Sequence, residues 1–147
     1  MEKLKTVQRF PDLIYDVGMN IGEDTEFYLK KGFRVIAFEA NSELVKQNQE
    51  RFRKEIANNQ LTIVEGAIVE DASSDTIKFY KNLDNSKWST IDSNWTQRCE
   101  KLGTRNKIIE VNTIDYSKCI EKYGIPYYMK IVSIRPSASS LFGIRCL

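Results

Sequence analysis

The order strand, helix, strand within residues 13–38 constrains the fold of this chain more than any other feature. Two short apolar runs, 13–17 and 35–38, have the length and composition of buried strands in a parallel sheet. Between them, residues 23–31 are rich in helix formers, with acidic residues first, lysines last and Gly32 just after. That arrangement suits the helix dipole and a glycine cap. We therefore predict a parallel βαβ unit.

A second unit of the same kind follows along the chain. Ser42 is predicted to cap a helix that ends before the "ANN" break at 57–59, and "LTIVEGAIV" at 61–69 predicts a third strand. The predicted apolar face of that helix consists of Leu44, Val45, Asn48, Phe52 and Ile56. Two consecutive right-handed crossovers predict an α/β fold with a doubly wound sheet.

The middle of the chain changes character. Short β-prone runs at 76–80 and 107–114 are separated by a polar stretch that we interpret as a long loop, so the region is predicted to be a β-rich insertion. A short helix capped by Gly124 and a strand, "YYMKIVSI" at 127–134, are predicted to follow. The tail from Arg135 has no clear period.

Composition limits the classes of protein to which the chain can belong. It has 147 residues, 41% of them hydrophobic and 29% charged, which predicts one soluble globular domain. The net charge of +2 comes from mixed signs without a basic block, so we expect no nucleic-acid partner. No apolar run reaches the roughly 18 residues of a membrane span, and the N-terminus lacks the apolar core of a signal peptide. We expect a cytoplasmic protein without a membrane partner.

Cysteine and histidine usage narrows the chemistry further. Cys99, Cys119 and Cys146 are widely spaced and odd in number, which predicts neither a disulfide framework nor a zinc site. The chain contains no histidine, which excludes Ser-His and Cys-His catalytic pairs and histidine-ligated metals. We expect no bound metal. Trp88 and Trp95 are interpreted as packing residues of the core or a loop rather than as a stacking surface.

The turn "DVGMNIG" at 16–22 lies between a predicted parallel strand and a helix, where doubly wound folds bind nucleotides. The nicotinamide fingerprint G-x-G-x-x-G would require glycine at position 20 and a small residue at position 23, whereas this chain has Asn20 and Glu23. A nicotinamide-dependent oxidoreductase is therefore the less favoured alternative.

Acidic residues around the turn favour a different ligand. Asp16, Glu23 and Asp24 oppose a pyrophosphate, which needs bare amides and positive potential. A nucleoside with a cationic tail fits better, and S-adenosylmethionine has one. Asp16 could accept its ammonium group, while Gly18 and Gly22 would let the backbone approach the ligand closely.

Glu39 supports the same ligand. It ends the second predicted strand about twenty residues beyond Gly18, where an acidic side chain in such folds accepts the hydroxyl groups of a ribose. The turn and the ribose acceptor therefore occur as a pair.

Four segments carry a resemblance to a known family: "YDVGMNIGEDT", "VIAFEAN", "VEGAIVED" and "NTIDYSKCIEKYGIPYYMKI". In that order and spacing, over roughly residues 10–131, they resemble the FkbM family of S-adenosylmethionine-dependent methyltransferases. The resemblance implies a Rossmann-like class I methyltransferase fold, with a β-rich insertion before the fourth core strand. It also implies O-methylation of a hydroxyl on a sugar, glycan or secondary metabolite.

The resemblance also assigns site residues by position. Five residues would line the methionine end of the cofactor, one would bind its ribose, and three would border the adenine. In that order they are Asp16, Gly18, Asn20, Gly22 and Thr25; Glu39; and Ala40, Asn41 and Ala67. Ser89 and Thr90 match a serine-rich patch of the family, with weak implications for substrate. No catalytic residue is assigned.

The resemblance ends after residue 131. Family members continue with an acidic "D-x-E-G" sequence and further strands and helices, whereas this chain has Val132 and the tail "SIRPSASSLFGIRCL". We expect a partial domain over 1–147, shortened by a frameshift or an early stop, with natural divergence of the C-terminus as the alternative. Its open sheet edge is expected to favour self-association. The alternative to a methyltransferase is an inactive remnant that binds the cofactor weakly or not at all. Lys130 matches a family lysine and is interpreted as solvated or ion-paired.

Overall fold

The computed structural model describes residues 6–69 and 72–132. The first half contains β1 (Arg9–Val17), α1 (Glu23–Lys30), β2 (Arg34–Glu39), α2 (Ser42–Arg51), α3 (Arg53–Ala57), β3 (Leu61–Glu65) and β4 (Ala67–Val69). The second half contains β5 (Thr76–Asn82), a 3₁₀ turn (Ser86–Trp88), α4 (Ser93–Lys101), β6 (Asn106–Asp115), α5 (Tyr116–Tyr123) and β7 (Ile125–Ile131).

Four strands form a parallel sheet in the order β3-β2-β1-β7. Asp16 of β1 pairs with Ala37 of β2 on one side and with Lys130 of β7 on the other. The predicted βαβ units are confirmed, and the fold is α/β, compatible with a Rossmann-like arrangement. Because all four strands run the same way, their carboxyl ends lie along one edge of the sheet.

A second sheet has the order β4-β6-β5, with β4 parallel and β5 antiparallel to β6. The prediction of a single strand over 61–69 is wrong, because Gly66 divides it between the two sheets. Gly66 has a φ of 146°, and a Cβ there would lie 2.8 Å from the carbonyl oxygen of Asn112. The insertion before β7 is β-rich, as predicted.

The predicted long loop between β5 and β6 is also wrong, since it contains the 3₁₀ turn and α4. Asp92 caps α4 by accepting hydrogen bonds from the amides of Asn94 and Trp95. Basic side chains lie in the last turn of α4, and Gly103 follows it with a φ of 88°. The helix therefore has ordinary start and stop signals.

The helix after β2 differs from its prediction at both ends. Its N-cap is Asn41, whose side chain accepts from the amide of Glu43, and not the predicted Ser42, which is the first helical residue. Regular helix stops at Phe52, which separates α2 from α3. The predicted apolar face is confirmed: four of its five residues are buried, and Ile56 packs against the core.

The core lies on both faces of the parallel sheet, because successive strand residues point to opposite sides. One cluster lies on the face covered by α1, α2 and α3 and contains Met19, Leu29, Val35, Ala37, Phe52 and Leu61. The other lies under α5 and contains Leu13, Tyr15, Ile36, Phe38 and Cys119. Tyr15 fastens α5 to β1 by donating a 2.6 Å hydrogen bond to the carbonyl of Gly124.

Among the described residues, β7 is paired with β1 only and forms an edge of the sheet. Tyr127 and Tyr128 on this strand are exposed. Self-association through this edge stays a prediction. The predicted end of the strand at 133–134 and the tail lie outside the described residues. No helix in the described ranges combines the length and the apolar character needed to cross a membrane.

Candidate functional site

The turn after β1 is closed over the end of β2. The amides of Gly18 and Met19 both donate to the carbonyl oxygen of Phe38, at 2.8 and 3.1 Å. Gly18, Asn20 and Gly22 have positive φ angles of 78°, 54° and 85°. Glycine and asparagine are the residues that adopt this conformation at the lowest cost. The sequence "GMNIG" therefore supplies the right residue at each of the three positions.

Asn20 connects the turn to three other parts of the chain. Its amide donates to Oε2 of Glu39 at 2.9 Å, and its carbonyl accepts from Nδ2 of Asn48 at 2.6 Å. Its Oδ1 accepts from the hydroxyl of Ser86, in the insertion, at 3.0 Å. Backbone and side chain of Asn20 are thus both fixed, although the residue lies at the surface of a cleft.

Glu39 is a buried carboxylate at the carboxyl end of β2. Its Oε1 accepts from the amide of Asn41 at 2.9 Å, while Oε2 accepts from Asn20. Burial raises the pKa of Glu39, and the hydrogen bonds from the backbone at Asn41, Asn20 and Ala40 oppose that rise without cancelling it. The carboxylate is therefore oriented by amides while each oxygen keeps further capacity to accept a hydrogen bond.

A cleft opens where the parallel sheet meets the insertion. Five predicted site residues line it: Gly18, Asn20, Glu39, Ala40 and Ala67. Its apolar wall includes Phe38, Ile68, Phe79 and Ile91. Ser86, Ser89 and Thr90 of the insertion lie along its rim. An apolar wall with a few convergent polar groups is the usual character of a small-molecule site.

The other four predicted residues do not line this cleft. Asp16 is completely buried, and its Oδ2 accepts a 2.6 Å hydrogen bond from the hydroxyl of Thr25. Gly22 packs so closely on α2 that a Cβ would lie 2.6 Å from Oδ1 of Asn48. Asn41 caps α2. Asp16, Thr25 and Gly22 therefore pack the turn, whereas Asn41 fixes the start of α2 and the carboxylate of Glu39.

Lys130, near the end of β7, is ion-paired. This is one of the two states, solvated or ion-paired, that the sequence predicted for it. Its Nζ lies 3.0 Å from Oδ1 of Asp16 and 2.8 Å from Oδ2 of Asp24, and its side chain is 15% exposed. Burial alone would lower the pKa of Lys130, but the hydrogen bonds and charges of Asp24 and Asp16 outweigh burial and raise it. The ammonium group is therefore a permanent cation beneath the turn.

Sequence reasoning missed the roles of Asn48 and Ser86. Asn48 lies on the buried face of α2 between apolar residues, and an amide in such a position needs partners. Its place in the apolar pattern was the available signal. Ser86 gave no such signal, because its contact with Asn20 spans 66 residues and depends on how the insertion folds back.

A larger cavity, of about 620 Å³, lies at the opposite end of the parallel sheet. Gln8, Arg34, Thr62 and Tyr123 are among its lining residues. In open parallel sheets, ligands bind beyond the carboxyl ends of the strands, and this cavity adjoins the amino ends. The smaller cleft beside Glu39 is therefore the candidate site.

No protein-family model matches the chain, and neither a curated protein nor a solved structure matches it significantly. Within the described part of the chain, no three cysteine, aspartate or glutamate side chains are grouped so that they could hold a metal ion.

Proposed function

We propose that the cleft binds S-adenosylmethionine, with the ribose hydroxyls donating hydrogen bonds to Glu39. The observation that carries this proposal is the buried Glu39 carboxylate, which lines the cleft beside the positive-φ turn and is held by the amides of Asn20 and Asn41. A carboxylate held in this way is preorganised to accept two neighbouring hydroxyl groups without rearrangement.

The surroundings of Glu39 suit the rest of a nucleoside. Ala40 and Ala67 are small, and Phe38, Ile68 and Ile91 offer apolar surface for a base. Gly18 lines the cleft beside Val132, and because it has no side chain the methionine part could lie close to its backbone. The cleft therefore offers small and apolar groups where the base of an adenosine would lie and a carboxylate where its ribose would lie.

The charges near the turn argue against a dinucleotide. Asp16, Asp24, Glu23, Glu26 and Glu39 contribute five negative charges, against the three positive charges of Lys130, Lys87 and Arg51. A pyrophosphate placed at the turn would face this excess of negative charge. An oxidoreductase that binds a nicotinamide dinucleotide is therefore the weaker candidate.

The reaction we propose is methyl transfer to a hydroxyl of a sugar, glycan or secondary metabolite, as the resemblance to the FkbM family implies. The strand order β3-β2-β1-β7 and the insertion before β7 support a class I methyltransferase fold. The second candidate is a protein that binds the cofactor but does not catalyse transfer. It is favoured by Val132, which lies at the end of β7 where the family has an acidic residue.

Calorimetric titration with S-adenosylhomocysteine tests the binding proposal. Glu39→Ala should weaken binding by about 1 to 3 kcal/mol, the cost of removing a charged hydrogen-bond partner. The matched control is Glu65→Ala, because Glu65 pairs with Glu39 in the sheet register but is exposed and lies outside the cleft. Equal dissociation constants for wild type and Glu39→Ala would contradict the ribose assignment.

A parallel titration with NAD separates the two nucleotide classes. We expect no saturable binding at micromolar NAD, because acidic side chains surround the turn and Asn20 occupies the position that the fingerprint gives to glycine. Micromolar NAD binding that Asn20→Trp abolishes would favour the oxidoreductase instead.

A further inference from the structure

The ammonium group of Lys130 occupies a position surrounded by oxygen atoms. Oδ2 of Asp24 lies 2.8 Å from Nζ, Oδ1 of Asp16 lies 3.0 Å away, and the carbonyl of Gly18 accepts a longer hydrogen bond of 3.4 Å. These three groups come from α1, from β1 and from the turn itself. Lys130 reaches them from β7, on the other side of β1 from β2.

One of these groups, Asp16, is the residue that the sequence led us to expect as the acceptor of a ligand ammonium. Asp16 is the buried acid at the end of β1, and it has no solvent-exposed surface. Its Oδ2 is engaged by Thr25, and its Oδ1 is closed off by the ammonium of Lys130. A cationic ligand could reach Asp16 only by displacing Lys130.

We propose that Lys130 is a specificity-determining residue that takes the place of the ligand's ammonium group, so that the site recognises the nucleoside and gains little from the amino-acid tail. This inference rests on the proposed function and assigns a narrower recognition to the same site. It differs from the expectation that Asp16 itself accepts the ammonium of S-adenosylmethionine.

Displacement of Lys130 by a ligand is disfavoured by the burial of its partner. If Lys130 swung away, the charge of Asp16 would remain buried until the ligand arrived, and a buried charge without a partner is costly. The exchange would replace one ammonium by another with no gain in ion pairs. Two other carboxylates lie nearby, Asp24 and Glu23, but both side chains are more than half exposed, so an ammonium paired with either would stay solvated and gain little.

If Lys130 takes the place of the ligand ammonium, the wild-type protein should bind two adenosine derivatives with similar dissociation constants. 5′-Methylthioadenosine has the nucleoside and the sulfur of S-adenosylhomocysteine but lacks the ammonium and carboxylate of the tail. In the wild-type protein the two dissociation constants should differ by less than about 5-fold. A charge-assisted hydrogen bond from the tail to Asp16 would instead give S-adenosylhomocysteine an advantage of about 10-fold to 100-fold.

Three variants isolate the role of the lysine. Lys130→Met empties the position and should raise the preference for S-adenosylhomocysteine to about 10-fold or more, because the ligand ammonium can then pair with Asp16. Lys130→Arg retains a cation and should keep the wild-type ratio. The double variant Lys130→Met with Asp16→Asn carries neither charge and should return the ratio to the wild-type range. Thermal melting verifies that each variant is folded.

Each outcome of the calorimetry bears on one of the two proposals. A strong preference for S-adenosylhomocysteine in the wild type overturns the inference and leaves the proposed cofactor standing. An unchanged ratio in folded Lys130→Met also overturns the inference. Failure of both compounds to bind the wild type overturns the proposed function, and the inference with it. If Lys130→Met does not fold, the wild-type ratio and the double variant decide the question.

Discussion

The backbone nitrogen of Asn20 and Oε2 of Glu39 lie 2.9 Å apart, although 19 residues separate them in the chain. The hydrogen bond between them joins the turn after β1 to the end of β2. Asn48 and Ser86 hold the same asparagine from α2 and from the insertion. The residues that would bind a ribose and those that would bind the adjoining part of a nucleoside are therefore parts of one hydrogen-bonded unit.

The titration of Glu39 gives the first prediction. Its pKa is raised by burial, so the folded protein holds the proton more tightly than the unfolded chain. Its contribution to stability is therefore complete below the ordinary pKa of glutamate, about 4.3, and is lost as pH rises through the folded value. Urea unfolding of wild type and Glu39→Ala across this range should show the wild type losing relative stability with rising pH.

Glu43 is the control for this measurement, since its pKa is lowered by a hydrogen bond and by the charge of Lys81. Its contribution is present above the ordinary pKa of glutamate and is lost as pH falls through the folded value. Glu43→Ala should therefore give a slope of the opposite sign. Parallel profiles for the two variants would refute the assigned environment of Glu39.

Alanine substitutions at two glycines with similar φ angles distinguish the cost of backbone strain from the cost of steric conflict. Gly32 has a φ of 90° and open space around the position of a Cβ, so Gly32→Ala should cost about 1 to 2 kcal/mol from the backbone alone. Gly22 has a φ of 85°, and its Cβ would also conflict with Asn48 and Phe52. Gly22→Ala should cost a further 1 to 3 kcal/mol, roughly, from overpacking. Equal losses in denaturant unfolding would contradict the close packing of Gly22.

The ion pairs of Lys130 and Lys30 are predicted to differ in their effect on stability. Lys130→Met leaves the buried Asp16 without its cation and should lower the free energy of unfolding by about 3 to 5 kcal/mol. Lys30 pairs with Glu26 at the surface of α1, where such a pair contributes about 0.3 to 0.5 kcal/mol. Thermal melts of Lys130→Met and Lys30→Met compare the two, and similar shifts would argue against a structural role for Lys130.

Catalytic turnover is predicted to be very low, and the cause is expected at the end of β7. Val132 supplies no carboxylate to accept a proton or to orient an acceptor, and orientation can contribute roughly 7 to 11 kcal/mol of a barrier. We would compare the chain with a chimera in which residues 132–147 are replaced by an acidic, family-like continuation. S-adenosylhomocysteine release would be assayed over sugars and hydroxylated metabolites.

The chimera should gain turnover while its affinity for S-adenosylhomocysteine changes little, because the residues of the cleft before Val132 are the same in both proteins. Glu39→Ala in the chimera is the control: if turnover depends on the proposed site, this substitution should reduce it. Equal turnover of the two proteins would refute the assignment of the defect to this region.

The sequence predicted the parallel sheet well because the signals for β1, α1 and β2 are local. Apolar runs of strand length and the glycine after α1 depend on neighbouring residues only. The error at Gly66 has a non-local cause, since the glycine lets the chain pass beside Asn112, which is far away in sequence. A run of apolar residues cannot indicate which of two sheets each half will join.

The candidate site was predictable to a similar extent. The positions of Gly18 in the turn and Glu39 at the end of β2 were predictable because strand ends and turn glycines follow rules of spacing, whereas Asn20 was assigned by the resemblance. The ammonium of Lys130 beside Asp16 could not be placed from sequence, because it depends on β7 pairing with β1 across the intervening insertion. The helix α2 is capped by Asn41 and not by Ser42. Both residue types are good N-caps, so the backbone geometry decides between the two neighbours.

The single residue between β3 and β4 has a consequence for how the molecule unfolds. Gly66 is the single residue between β3 and β4, which belong to different sheets, and its amide donates to the carbonyl of Glu39. Because a single residue leaves little slack at this point, and α5 joins β6 to β7 as a second connection, we expect the loss of one sheet to disturb the register of the other. Heat should therefore disrupt both sheets in one cooperative transition, with equal calorimetric and van't Hoff enthalpies.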